Sequence, residues 1–421
     1  MRQPKIFTTI KTYDRSQFIA DLIAGITVAM VALPLALAIA IASGAPPEKG
    51  LVTAIVAGFL ISFLGGSRVQ IGGPTGAFIV VVFSVIADHG YDGLVLATFM
   101  AGILLLVAGY FRVGRLISYV PEAVVSGFTI GIAVVIATSQ IPDFLGLSLD
   151  HVPAEFLEKI PVLWEGRDSF KLSSFVIAAV TLSLIIAFVR FFPRFPGLIV
   201  AVGFGSALVH FAGLHVDTLG SRFGELPSQL PLPAFPAFSL NRIIELLPSA
   251  FIIAFLAGVE SLLSAMVADR ISNGKHRPNA ELLAQGAANI GSSLFAGLPA
   301  TGAIARTVTN IRAGGKTPVA GIIHALVILL VMLLAAPLAG YLAMPTLAAL
   351  LMITAWNMSE PKKWREYARG ASRDKFLLLL TMVLTVIVDL TVAIGVGVAL
   401  GLAFELSNRN GTKSDWTPPR R

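Results

Sequence analysis

Cysteine is absent from the 421 residues, which excludes disulfides, thiolate metal sites and thiol nucleophiles. Charge is scarce as well. Asp, Glu, Lys and Arg make up 13% of the chain, about half the share usual in a soluble domain. The six histidines, His89, His151, His210, His215, His276 and His324, have no ligand spacing. No nucleophile–base constellation accompanies them. These absences leave no basis for an enzyme, a cofactor or a metal centre. Met1 to Ala20 is polar and basic and reads as a cytoplasmic N-terminus rather than a signal peptide.

What the chain has in abundance is apolar residues, at 56% of the total, with a mean hydropathy of +0.83. They come in runs of roughly 14 to 22 residues between short polar breaks, the pattern of an all-α polytopic membrane protein. Fourteen runs can be placed: 21–43, 50–65, 74–87, 93–111, 121–144, 172–191 and 195–212, then 243–268, 279–296, 302–312, 317–336, 339–357, 375–390 and 391–407. The last two are separated by almost nothing and could form one bent hairpin.

Lysine and arginine orient these spans. With the N-terminus inside, 24 of the 31 fall on the cytoplasmic side and 6 outside. That excess predicts an integral membrane protein of a bacterial inner membrane with both termini cytoplasmic. It also accounts for the net charge of +7 without a nucleic-acid partner. The one left over, Arg306, falls within a span.

Two stretches interrupt the apolar pattern in the same way. Gly72-Gly73-Pro74-Thr75-Gly76-Ala77-Phe78 and Gly297-Leu298-Pro299-Ala300-Thr301-Gly302-Ala303-Ile304 align at an offset of 226 residues. Glycine and proline there cannot continue a preceding helix, but they can open a new one. Each stretch therefore predicts extended backbone leading into a half-helix, the third and tenth spans. Paired interruptions in two halves of a membrane protein point to a transport site. Two facing N-termini would suit an anion. The amides of Thr75, Gly76, Ala77 and Phe78, and of Thr301, Gly302, Ala303 and Ile304, are the expected contacts. Seven spans per half, an odd number, would make the halves an inverted repeat.

Several motifs in order resemble the SulP / solute carrier 26 anion transporters, over residues 21 to about 318. They are Asp21-Leu22-Ile23-Ala24-Gly25 with Val31-Ala32-Leu33-Pro34, Gly72 to Gly76, Val120 to Phe128, Glu260-Ser261-Leu262-Leu263-Ser264, Gly297 to Thr307, and Gly314-Gly315-Lys316-Thr317-Pro318. The resemblance implies fourteen spans in a seven-plus-seven inverted repeat with half-helices at spans 3 and 10. It divides the chain into a cytoplasmic N-terminus (1–20), core spans 1–4 (21–119), and gate spans 5–7 with a linker (120–241). Core spans 8–11 (242–338) and gate spans 12–14 (339–407) follow, then a cytoplasmic tail (408–421). It places substrate between the half-helices, beside Leu35 and Ile39 of the first span. It also implies membrane lipid around the protein and a homodimer through gate–gate contact. Family members usually continue into a STAS domain, so a membrane domain without STAS is expected here. Many carry Gln after the first-span proline, where this chain has Leu35.

Glu260 lies mid-span among Phe255, Leu256, Leu262 and Leu263. A charged carboxylate there must face a cavity, pair or take up a proton. The expected role is proton coupling, and Ser264 is a candidate cation or substrate contact. In the sodium-coupled bicarbonate branch the family carries oxygen ligands where this chain has Ile304, and hard cations need several oxygens. Arg306, always ionised, is expected to attract the substrate anion, or to pair with Glu260. His324 is expected to pack through hydrogen bonds between helices, and Asp389 and Glu405 to be solvated or capping. The reading that results is a proton-coupled symporter of sulfate or a small dicarboxylate. A sodium-coupled bicarbonate transporter, a passive anion channel and a nucleobase–proton symporter are the alternatives.

Overall fold

The computed structural model describes residues 3–115, 121–149, 152–153, 156–192, 196–388 and 390–407. The first half holds α1 (Ile6–Thr9), α2 (Arg15–Ala42), α3 (Pro47–Leu64), strand β1 (Gly72–Gly73), α4 (Ile79–Tyr110), α5 (Glu122–Ser139), α6 (Ile141–Leu145), α7 (Phe156–Glu165), α8 (Leu172–Phe191), α9 (Gly197–Phe211) and α10 (Leu219–Phe223). The second holds α11 (Leu240–Ser272), α12 (Pro278–Leu294), strand β2 (Thr301–Gly302), α13 (Ile304–Arg312), α14 (Val319–Ala339), α15 (Met344–Met358), α16 (Trp364–Arg369), α17 (Ser372–Ile387) and α18 (Leu390–Ser407).

Seven helical stretches among the described residues are long and apolar enough to cross a membrane: Arg15–Ala42, Pro47–Leu64, Gly76–Tyr110, Glu122–Leu145, Leu172–Phe191, Leu240–Ser272 and Val319–Ala339. Other apolar runs form shorter helices. The ends follow local chemistry. Asp14 accepts from the Gln17 amide at 2.8 Å and starts α2 at Arg15, ahead of the apolar run. Ser239 does the same for α11 through the Arg242 amide. Pro47 and Pro278 sit in the first turns of α3 and α12, where a missing N–H costs nothing. The Gly76–Tyr110 stretch is not one straight helix: Gly90, at φ 72°, breaks it into two.

The helices pack in two groups. One contains α2, α3, α4, α11, α12, α13 and α14; the other contains α5, α8, α9, α15, α17 and α18. Glycine brings partners close within each. Gly102 of α4 and Gly286 of α12 are reciprocal, each with the other's carbonyl oxygen 2.8 Å from where a Cβ would stand. Gly127 and Gly131 of α5 meet α17 in the same way, whereas Gly203 faces open space.

Between α6 and α8 lies α7, Phe156–Glu165, with Pro161 inside it. The Lys159 side chain on this helix is buried, and its amine donates to Ser139 Oγ of α5 at 2.7 Å. Burial without a carboxylate partner pushes the Lys159 amine down to about 8. Asp389, the Glu405 side chain and the 408–421 tail lie outside the described residues.

Candidate functional site

The two Gly/Pro stretches meet. β1 and β2 pair antiparallel, with Gly72 opposite Gly302 and Gly73 opposite Thr301. The Ala303 amide extends the ladder by donating to the Ile71 carbonyl at 2.8 Å. Each strand then turns into a helix. Thr75 is the extended residue before a 3-10 turn at Gly76–Phe78 that continues into α4, and Ala303 precedes α13. Because the strands are antiparallel, the two helices leave in opposite directions, so their N-termini flank the pair.

α11 closes one side of this crossing. Thr301 Oγ1 donates to the Ala257 carbonyl at 2.9 Å, and Thr75 Oγ1 donates to Glu260 Oε2 at 2.9 Å. Ser264 Oγ lies 3.2 Å from Thr307 Oγ1, which accepts from the Ile71 amide at 3.1 Å. Of the expected site residues, Leu35, Thr75 and Glu260 keep part of their surface accessible and Ile304 is 40% exposed. Gly76, Ala77, Phe78, Thr301, Gly302, Ala303, Ser264 and Ile39 are buried. Two of the expected anion contacts are already committed, because the Phe78 amide donates to the Thr75 carbonyl at 3.2 Å and the Ala303 amide to Ile71.

Arg306 is 2% exposed, on the face of α13 that also buries Thr307 and Asn310. Neither of its terminal nitrogens has a hydrogen-bond partner. Its Nη1 occupies the space that a side chain on Gly73 would need, 2.5 Å from the Cβ position. The expected pairing with Glu260 is not formed: no ion pair joins them among the described residues, and Glu260 is held by Thr75. His324 also departs from expectation. It is fully buried on α14, but neither ring nitrogen makes a hydrogen bond. Arg306 is near enough to act on it electrostatically.

Sequence reasoning missed the buried polar hub behind the strands. Glu281 of α12 is fully buried and accepts four hydrogen bonds. The donors are the Gly66 amide at 2.9 Å, the Ser67 amide at 3.3 Å, Ser261 Oγ at 2.9 Å and Gln285 Nε2 at 2.9 Å. Gln70 Nε2 donates to Ser261 Oγ at 2.8 Å, which links the hub to the entry of β1. One turn on from Gln285, Asn289 pairs with both backbone groups of Ala300 at 2.9 Å, as a strand would. Extended backbone inside a helical bundle leaves donors and acceptors unmet, and these side chains meet them. The signal was present as a polar stripe at helical spacing: Glu281, Gln285, Asn289 and Ser292.

The hub changes the expected effect of substituting Gly302. From sequence, Gly302→Val should abolish binding in a folded protein. A Cβ at this glycine, however, would fall 1.5 Å from Gln70 Nε2. Gly302→Ala is therefore expected to destabilise the fold by about 1–3 kcal/mol, with partial recovery when Gln70→Ala is added. Thermal unfolding in detergent measures both. Gly76→Ala is the cleaner probe of close approach, because its Cβ meets the flexible end of Met358.

Residues 18–382 match the sulfate permease family. The chain belongs to this family of membrane transporters. It is 43% identical over 375 residues to YvdB of Bacillus subtilis, named as a sulfate transporter, covering 89% of this chain and 71% of that one. It is 32% identical over 346 residues to the bicarbonate transporter BicA of Picosynechococcus, covering 78% of this chain and 60% of BicA. The chain thus spans less than two thirds of the BicA length. The transmembrane domain of a cyanobacterial BicA superposes with a TM-score of 0.81 at 30% identity, covering 91% of this chain and 99% of that domain. Murine solute carrier 26 family member A9 shares the fold, with a TM-score of 0.87 at 18% identity, covering 97% of this chain and 71% of that one.

Proposed function

We propose that this protein is a secondary active transporter of small anions, a proton-coupled symporter of sulfate or a small dicarboxylate working by alternating access. The observation that carries the reading is the strand crossing. It sets the turn that opens α4 against Glu260 through Thr75, with the start of α13 on the paired strand and the buried Arg306 guanidinium against Gly73. Helix N-termini favour an anion, and a carboxylate next to them can trade a proton as the anion binds. The names of the relatives, sulfate and bicarbonate transporters, point to the same substrate class.

The proposal includes the fourteen-span, seven-plus-seven inverted repeat. Continuing the ladder by one step sets Pro74 opposite Ala300, and these two are also 226 residues apart. The sequence offset and the strand register thus share one two-fold point, as an inverted repeat requires. Each half-helix ends near a glycine of positive φ, Gly90 at 72° and Gly314 at 98°. The two packing groups correspond to a core that carries the site and a gate against which it moves. Both termini are assigned to the cytoplasm of a bacterial inner membrane, and the protein to a dimer that meets through its gates.

A sodium-coupled bicarbonate transporter is the second reading, favoured by the likeness to BicA. Against it, Ser264 is fully buried and engaged with Thr307, and Ile304 offers no oxygen. Uptake into proteoliposomes across sulfate, succinate, bicarbonate and uracil separates the readings. Accumulation of sulfate or succinate under an inward proton gradient, without sodium, is the expected result. Equilibration without accumulation would mean a channel. A strict sodium requirement would mean the bicarbonate branch.

A further inference from the structure

Thr75 has the backbone of a helix cap, at φ −125° and ψ 156°, yet its side chain makes no cap bond to the turn it opens. A threonine in this position ordinarily accepts from an amide two or three residues on. Its hydroxyl is committed instead to Glu260, 185 residues away, and both side chains stay partly accessible. A hydroxyl has one hydrogen to donate. While Glu260 is ionised, that hydrogen belongs to the carboxylate.

We propose that the Thr75 hydroxyl is the switch that ties the anion site to the proton on Glu260, a proposal that rests on the symport reading above. When Glu260 takes up a proton, its carboxyl becomes a donor and Thr75 Oγ1 can accept from it. The Thr75 hydrogen is then released to turn towards an anion at the Gly76 and Ala77 amides, the Phe78 amide being bonded to the Thr75 carbonyl. The only covalent change is the O–H bond formed on Glu260, with the proton supplied from the side the anion enters. Proton binding thereby adds one donor to the anion site, and a bound anion, by linkage, holds the proton on Glu260.

Among the described residues, no other titratable group on the elements packed against α11 is hydrogen-bonded or ion-paired to Glu260. Glu281 of α12 is saturated by its own four donors. Arg306 of α13 lies against Gly73, His324 lies on α14, and Asp21 of α2 is engaged by Lys316 and Thr317. His89 of α4 pairs with Glu245 at the opposite end of these helices from Asp269 and His276.

The test uses the full chain in proteoliposomes, with whichever of sulfate, succinate and bicarbonate the wild type takes up fastest. Half-saturation is measured from pH 5.5 to 8. The wild type is expected to bind more tightly as pH falls. Thr75→Val is expected to lose about tenfold in affinity at the acid end, the effect of one hydrogen bond to a charged group, and to flatten the pH profile. Thr75→Ser is expected to restore both. Thr75→Ala serves as a second hydroxyl deletion if the valine variant does not fold. Wild-type affinity and slope in either deletion variant would overturn the switch while leaving symport standing. Failure of both deletion variants to fold would assign the hydroxyl to structure and overturn it too. A wild type that shows no proton-driven uptake would overturn the symport reading and the switch together.

Discussion

Glu260→Gln is expected to keep substrate exchange and lose accumulation driven by a proton gradient. Glutamine has the shape of protonated glutamate and cannot titrate. Its NH2 can donate to Thr75 Oγ1 as the protonated carboxyl would, across the contact that in the structure is 2.9 Å from Glu260 Oε2. The fold should therefore be preserved, and α11 should keep its contact with the Thr75 turn. What disappears is the charge change at that carboxylate. Counterflow with labelled substrate on both sides should run at a rate within a few-fold of the wild type. Concentrative uptake under an inward proton gradient should fall to the level of empty liposomes. Persistent accumulation would make Glu260 structural and send the search for the proton path to His324 or Asp389.

Arg306→Met should separate binding from folding. A buried guanidinium with two unpartnered terminal nitrogens is a net cost to the fold, because desolvation is not repaid by a counter-charge. Methionine fills a similar apolar volume without the charge, so thermal stability in detergent should hold or rise. If the anion is the missing partner of that charge, affinity should fall by about 2–4 kcal/mol, or roughly 30- to 1000-fold. A structural arginine would show the reverse, with unfolding at lower temperature and unchanged affinity. The phenotype also differs in kind from that of Glu260→Gln, since binding fails rather than coupling.

The sequence by itself determined the class and the place of the candidate site. Scarce charge and long apolar runs leave no aqueous fold in which that much surface could be hidden, so the membrane reading follows from composition. The Gly/Pro interruptions at Gly72–Gly76 and Gly297–Gly302 were legible because backbone preference is local. A glycine and a proline limit helix continuation wherever they stand. Local signals also located α3 and α12 to within a few residues.

Only the tertiary structure decided what each polar group faces. Glu281 and Asn289 could be seen to share a helix stripe, but their partners, Gly66, Ser67 and Ala300, come from segments the helix pattern says nothing about. Arg306 stands early in α13, and its side chain could have pointed to either face of that helix. Packing of Thr307 and Asn310 against the β1 entry set the rotation and buried it. The same rotation left Glu260 to Thr75 instead of to Arg306. Gly302 shows the limit most directly. The sequence marks a residue that cannot carry a side chain, and the neighbour that forbids it, Gln70, arrives through a strand pairing 230 residues long in sequence. Periodicity and propensity act over a few residues, whereas hydrogen-bond partners inside a bundle are chosen by which helices touch.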